Sequence, residues 1–291
     1  MSGPLNSTLK DDYLYCEKVI KKHSRSFYYA FSQLPKDKAK AIYAIYAFCR
    51  RADDTVDTAP DAFQQCENLE QLERELTLFE EGKPLDKPIW RALTDVFERY
   101  PMSIEPFYHQ IKGQRMDIDF ISPDTLEDLE EYSYYVAGTV GLMLLPILAE
   151  KNTQETAESA LSLGVAMQLT NILRDIGEDL KGNNRVYLPS QMLKKENYSL
   201  KDLEKSAVTP AFIRVWEQLA DRAEYLYEQF EKGIYLYNPE SQLPVLLSAN
   251  VYRGILDAVR KNGYNCFDKR NAVTLIEMEN IRKKTQQFLN A

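Results

Sequence analysis

Two carboxylate runs stand out because their spacing sets charge beside apolar surface. Asp53 and Asp57 lie four residues apart, so on a helix both side chains point the same way. At about 100° per residue, Ile42, Tyr46, Cys49, Asp53 and Asp57 share one stripe. The carboxylates thus continue an apolar face instead of lying opposite it. Like charges at this spacing repel, and burying them demands a compensating cation. A second run follows about 120 residues later: Asn171, Asp175 and Asp179 are spaced i, i+4 and i+8, with Gln168 one turn earlier. It borders the apolar stripe Leu161, Val165, Leu169, Ile172 and Ile176.

Such rows suit Mg²⁺, which prefers hard oxygen ligands and is usually held by one or two carboxylates plus substrate phosphates. One row alone is an ordinary solvated helix face. Two rows, both beside core faces, point to metals bridging a diphosphate. Arg50 and Arg174 neighbour the rows; each could form a simple ion pair or grip diphosphate oxygens bidentately. The spacing of an EF-hand is absent from Asp175–Asn184, and there is no P-loop, G-x-S-x-G or H-E-x-x-H. His23 and His109 are the only histidines, which excludes a His-rich metal site. Cys16, Cys49, Cys66 and Cys266 show no C-x-x-C spacing and suit a reducing cytosol.

The elements that must carry these residues read as helices. Residues 36–59 and 147–188 lack proline, and apolar residues recur there at three- and four-residue steps. Pro35, Pro60, Gly82–Pro88, Pro101–Pro106, Pro123, Gly182–Pro189, Pro210 and Pro239–Pro244 fall between candidate helices. Thr8 and Ser122-Pro123-Asp124 read as helix starts, and Gly182–Pro210 as a polar loop or short-helix excursion of functional length. Strict alternation is rare, so a large sheet is not expected. No linker divides the chain. One all-α domain over residues 1–291 is expected, with 1–12 a poorly ordered terminus. The net charge of −8 argues against a basic grip on nucleic acid or anionic lipid. The longest apolar stretch, Val136–Ala149, falls short of the about 20 residues that span a bilayer, and no secretory signal precedes it. The expectation is a soluble, cytoplasmic protein, with peripheral contact at the inner face of a membrane left open as a route for product release.

Around the carboxylates the sequence resembles the squalene/phytoene synthase family, and within it the bacterial dehydrosqualene (diapophytoene) synthases. His23-Ser24-Arg25-Ser26-Phe27 resembles the family's "HS-x-SF" element, and Tyr43–Asp57 its "Y-A-x-x-R-x-x-D-D" run. Tyr132–Gly141 is similar to "Y-x-x-x-V-A-G-x-V-G". Asn184–Pro189 is similar to "GR-x-Y-L-P", with Asn184 in place of the glycine. The likeness runs from about residue 13 to 272.

The resemblance implies an isoprenoid-synthase-type helical bundle around a central cavity. Asp53, Asp57, Asn171, Asp175 and Asp179 would hold Mg²⁺, and His23, Ser24, Ser26, Tyr46, Arg50, Gln168, Asn171, Arg174 and Tyr252 would contact substrate. Tyr132 would lie near the reacting carbons, and of the pair Lys269–Arg270 one, with Lys269 taken provisionally, would contact diphosphate. The implied reaction joins two prenyl diphosphates, farnesyl diphosphate favoured, head to head through a cyclopropyl diphosphate into dehydrosqualene without NADPH. Phytoene synthesis from two geranylgeranyl diphosphates is the nearest alternative. A non-catalytic helical relative that binds lipid or assists assembly should have lost ligand carboxylates, and here all five positions are filled. Asp53-Asp54-Thr-Val-Asp57 also fits the D-D-x-x-D of head-to-tail elongases and cyclases; the second row and the Val-Ala-Gly-Thr-Val-Gly segment speak against those.

Overall fold

The middle of the central helix, Ala41–Cys49, is apolar all round, which is why it lies inside. The computed structural model describes residues 5–290 except Pro84 and Asn152, with the side chains of 5–7 and Asn183 also outside the described set. Helix α3 (Lys36–Asp57) buries Ile42, Ile45, Phe48 and Cys49 among others. It is wrapped by α1 (Leu5–His23), α4 (Ala62–Glu80), α5 (Pro88–Arg99) and α6 (Glu105–Ile118). Arg51 on α3 pairs at 2.7 Å with Glu75 of α4, whose carboxylate is buried. Glu75 also accepts from the Trp90 indole and the Lys87 ammonium of the α5 start, each at 2.6 Å. A buried carboxylate is stable only with such donors, and this one clamps three helices beside the acidic end of α3.

Helix α2 (Arg25–Phe31) follows a break at Ser24. After α7 (Leu126–Ser133), the chain passes through a π-helical turn, Tyr134–Gly138, into α8 (Thr139–Leu148). Helix α9 (Gln154–Asn183) is the longest of the described elements. Helices α10 (Ser190–Lys195) and α11 (Leu200–Glu204) lead to α12 (Pro210–Lys232), α13 (Pro239–Lys261) and α14 (Leu275–Leu289). Helix α12 packs Val215, Trp216, Leu219 and Ala223, all fully buried, towards α9. The Trp216 indole donates to the Leu173 carbonyl at 3.1 Å. Burial of each large side chain contributes roughly 1.5–3 kcal/mol, so α9 is seated through one face and its other face is free to line a cavity.

No strand occurs among the described residues, and no helix among them is long and apolar enough to cross a membrane. Residues 1–4 of the terminus expected to be poorly ordered lie outside the described residues. From Leu5 the chain is helical, because buried Asp12 anchors it: the Arg91 guanidinium donates to both carboxylate oxygens, at 2.8 and 2.6 Å. Thr8 therefore lies inside a helix. The start expected at Ser122–Asp124 moves to Thr125, which forms a reciprocal capping box with Asp128. The excursion before Pro210 is a loop with two short helices, as expected.

Candidate active site

Both rows of oxygen side chains open into one cavity of about 880 Å³. Helix α3 supplies Tyr46, Arg50, Asp53 and Asp57; α9 supplies Gln168, Asn171, Arg174, Asp175 and Asp179. Further along α9, towards its N-terminus, the lining turns apolar with Met167, Leu163 and Ala160, faced by Leu144 and Leu148 of α8. The cavity is polar at one end and greasy at the other.

The charges at the polar end are poorly compensated. Burial pushes the Asp53 carboxyl up to about 7, against the pull of Arg50 and helped by Asp57 and Asp117. Burial raises Asp179 to about 7 as well, with Asp175 and Glu178 adding repulsion. Asp57, nearer solvent, is also raised, chiefly by desolvation. The Arg50 guanidinium pairs with Asp54, yet its Nε is buried without a partner. Arg174 holds Asp175 in a bidentate pair at 2.7 and 2.5 Å. Asn171 donates to Gln168 at 3.3 Å, but its own Oδ1 is buried and unpaired. A buried carbonyl oxygen without a donor is uncommon and costly. Placed among carboxylates, it suits a hard cation better than a hydrogen-bond donor, so the donor set fits Mg²⁺. Among the described residues no three His, Cys, Asp or Glu side chains close into a ready-made metal cage. That suits an ion whose shell is completed by water and substrate phosphate.

His23 ends α1 and Ser24 caps α2, and both line the cavity with Ser26. Burial and the nearby Arg50 lower the His23 imidazole below its ordinary value, so it is a neutral donor at pH 7. Phe27, Tyr46 and Tyr252 form an aromatic wall, with Phe27 centroids 6.1 and 6.2 Å from the two tyrosine rings. The π-helical turn contributes Val136 and Ala137. π-turns leave carbonyls without their usual partners. Gln110 of α6, its amide oriented to satisfy them, donates to the Tyr135 and Val136 carbonyls at 3.3 Å. Gly164 of α9 allows the close approach, since a Cβ there would stand 2.6 Å from the Ala137 carbonyl oxygen.

The squalene/phytoene synthase family model matches residues 20–277, a span that contains every element of this cavity from His23 to Val273. The chain belongs to the squalene/phytoene synthase family. It is 38% identical over 275 residues to a 15-cis-phytoene synthase of Synechococcus elongatus, covering 91% of this chain and 89% of the relative. It is also 38% identical over 268 residues to a 4,4'-diapophytoene synthase of Staphylococcus haemolyticus, covering 90% and 92%. Its fold superposes on the crystal structure of a dehydrosqualene synthase with a TM-score of 0.93 at 43% identity, covering 98% of this chain and 99% of the other. The protein is therefore a prenyltransferase of isoprenoid and carotenoid biosynthesis, built on the all-α isoprenoid-synthase-type fold.

Of the residues singled out in the sequence of this squalene/phytoene synthase relative, one lies outside the cavity. Lys269 and Arg270 are both exposed, but only Arg270 lines the cavity, where it approaches Glu178 at 3.1 Å and Asp175 at 3.7 Å. The reason is local. The loop 265–268 crosses α9 at Gly177, whose amide donates to the Cys266 carbonyl at 3.0 Å. A Cβ on Gly177 would stand 2.1 Å from the Phe267 carbonyl oxygen, and this tight crossing brings Arg270 over the acidic end of α9. Asn184, standing where the family motif has glycine, adopts the left-handed conformation with φ 52°. Asn is among the residues that tolerate that region best, so it can end α9 where a glycine would.

Sequence reading missed helix α6. Its Gln110, Gln114 and Asp117 all face the cavity, and Gln114 donates to Asp53 at 2.7 Å. The signal was present: polar residues at i, i+4 and i+7 on a helix whose same face carries Phe107 and Ile111, both buried. Arg185 and Tyr187, quoted only as part of a motif, also line the cavity.

Proposed function

We propose that this enzyme condenses two farnesyl diphosphates head to head, through a cyclopropyl diphosphate, into dehydrosqualene with Mg²⁺ and without NADPH. The observation that carries this reading is the union of two oxygen rows, one of them holding the unpaired Asn171 Oδ1, and an apolar tail section in one cavity. Asp53, Asp57, Asn171, Asp175 and Asp179 would hold the metal. When bound, Mg²⁺ supplies the positive charge that makes diphosphate a good leaving group. Arg50, Arg174 and Arg270 offer guanidinium forks to diphosphate oxygens, and His23, Ser24, Ser26 and Gln168 add neutral donors.

Ionisation of one substrate gives an allylic cation, which the double bond of the second attacks. Loss of a proton closes the cyclopropane, and a second ionisation rearranges it to the 1-1' linked chain. A last proton loss ends the sequence. The chain's part is to hold the tails and exclude water, and the faces of Phe27, Tyr46 and Tyr252 can stabilise cations without reacting. Tyr132 lines the cavity where α7 meets the π-helical turn, a position suited to the reacting carbons.

The reach of the lining along α9 supports the shorter tail. From Asn171 to Ala160, the first α9 residue of the lining, the helix rises about 16 Å. At roughly 1.2 Å per bond of extended chain, the main chain of a farnesyl group needs about 14 Å and that of a geranylgeranyl group about 19 Å. The shorter tail lies within that rise when extended and the longer one exceeds it, which favours farnesyl diphosphate. Purified protein given Mg²⁺ and both diphosphates together, without NADPH, should yield the thirty-carbon hydrocarbon of two farnesyl units. A forty-carbon product alone would overturn the choice of substrate. Peripheral membrane contact during product release is part of this proposal, since the product is a hydrocarbon without solubility in water.

A further inference from the structure

Three side chains of α6 each hold a different part of the cavity wall, and Asp117 is the most constrained of them. It is 9% exposed. Its Oδ1 accepts from the Tyr132 hydroxyl at 3.0 Å and from the Tyr187 hydroxyl at 2.9 Å, and its Oδ2 lies 3.2 Å from the Tyr132 hydroxyl. The Arg185 guanidinium stands 3.7 Å from Oδ1 and donates to the Asp117 backbone carbonyl at 2.7 Å. Burial raises the Asp117 carboxyl, and this positive charge together with the two phenol donors pulls the other way, favouring the ionised form.

Each phenol carries one proton, and an ionised carboxylate can only accept. Burial keeps both phenols neutral, raising them far above the ordinary range. Both protons are then committed to Asp117. The 3.3 Å approach of the two hydroxyl oxygens is a contact imposed by their shared acceptor, because neither has a second proton to give. Tyr132 lines the cavity. With its proton drawn towards α6, it presents oxygen lone pairs to whatever the cavity holds. A hydroxyl proton aimed inward would repel a passing carbocation, whereas lone pairs attract one.

We propose that Asp117 is a positioning residue that fixes the polarity of Tyr132, turning its lone pairs and not its proton towards the reacting carbons. This rests on the carbocation reading above and goes beyond it by naming the group that orients the tyrosine.

The test compares turnover of wild type, Asp117→Asn, Tyr132→Phe and the double variant, with thermal melts alongside. An amide offers N–H where the carboxylate only accepts, so one hydroxyl must turn its proton elsewhere. Asp117→Asn should lower kcat about 10- to 100-fold with KM changed less than about threefold. Added to Tyr132→Phe, it should cost little more. Asp117→Leu, similar in size and unable to accept, should behave alike and serves if the amide variant does not fold. Losses that multiply in the double variant would overturn the proposal, and so would an Asp117→Asn enzyme with wild-type kcat. Full activity in Tyr132→Phe would overturn it too, by removing the tyrosine it acts through. Absence of any hydrocarbon from the wild-type protein would instead strike the proposed function itself.

Discussion

The acidic rows should make the metal-free protein less stable as pH rises, and neutralising one member should reverse that. Asp53 and Asp179 are both raised to about 7 in the folded protein, against about 3.9 for an aspartate in an unfolded chain. Between those values the folded state holds a proton that the unfolded state has released. Unfolding then releases protons, so stability falls as pH climbs from about 4 to 7. The full difference is about 3 pH units, which is ~4 kcal/mol for each group. Relaxation around the charged form lowers this, and about half is a fair expectation.

In a domain of this size 1 kcal/mol moves Tm by about 2 °C. Asp53→Asn or Asp179→Asn should therefore raise the metal-free Tm by about 4–8 °C at pH 8, by much less at pH 5, and by nothing near pH 4. Mg²⁺ should stabilise wild type most at pH 8, where both carboxyls are ionised, and should stabilise the Asn variants far less. The assay is a set of thermal melts in chelator and in Mg²⁺ from pH 4 to 8. A metal-free wild-type Tm that stays flat or rises over that range, with Asn variants no more stable, would refute the reasoning.

Arg270→Ala should raise KM for diphosphate or lower kcat at least tenfold, while Lys269→Ala stays within about twofold; steady-state kinetics on the pair separates them. The reverse ranking would mean that the crossing at Gly177 does not aim Arg270. Gly177→Ala must push a backbone carbonyl that stands 2.1 Å from the new Cβ, so it should cost about 1–3 kcal/mol by denaturant titration and weaken turnover together. Phe31 is buried and lines the cavity one turn of α2 beyond Phe27. Phe31→Ala should open the tail section and let geranylgeranyl diphosphate compete, read as forty-carbon hydrocarbon in a mixed-substrate incubation; an unchanged product ratio would place the length limit elsewhere.

The parts of this protein legible in its sequence are those where one helix carries its own message. Asp53 and Asp57 on α3, and Asn171, Asp175 and Asp179 on α9, are readable because helical spacing alone puts them on one face beside apolar residues, and a carboxylate in such a place asks for an explanation. The pair Lys269–Arg270 shows where that ends: both residues are cationic and adjacent, and their difference comes from a loop crossing another helix at Gly177, far earlier in the chain. Helix α6 shows the same limit more sharply. Gln110, Gln114 and Asp117 are individually unremarkable side chains, and each acquires its role from a partner on a different helix: the π-helical turn, Asp53 and Tyr132. Spacing can say that they share a face. It cannot say that the face is turned towards two acidic rows and a tyrosine. Yet a buried polar stripe must be satisfied by something. A helix showing glutamine, glutamine and aspartate on the same side as Phe107 and Ile111 therefore had to meet donors and acceptors inside the protein, and in an enzyme the interior that is rich in both is the site.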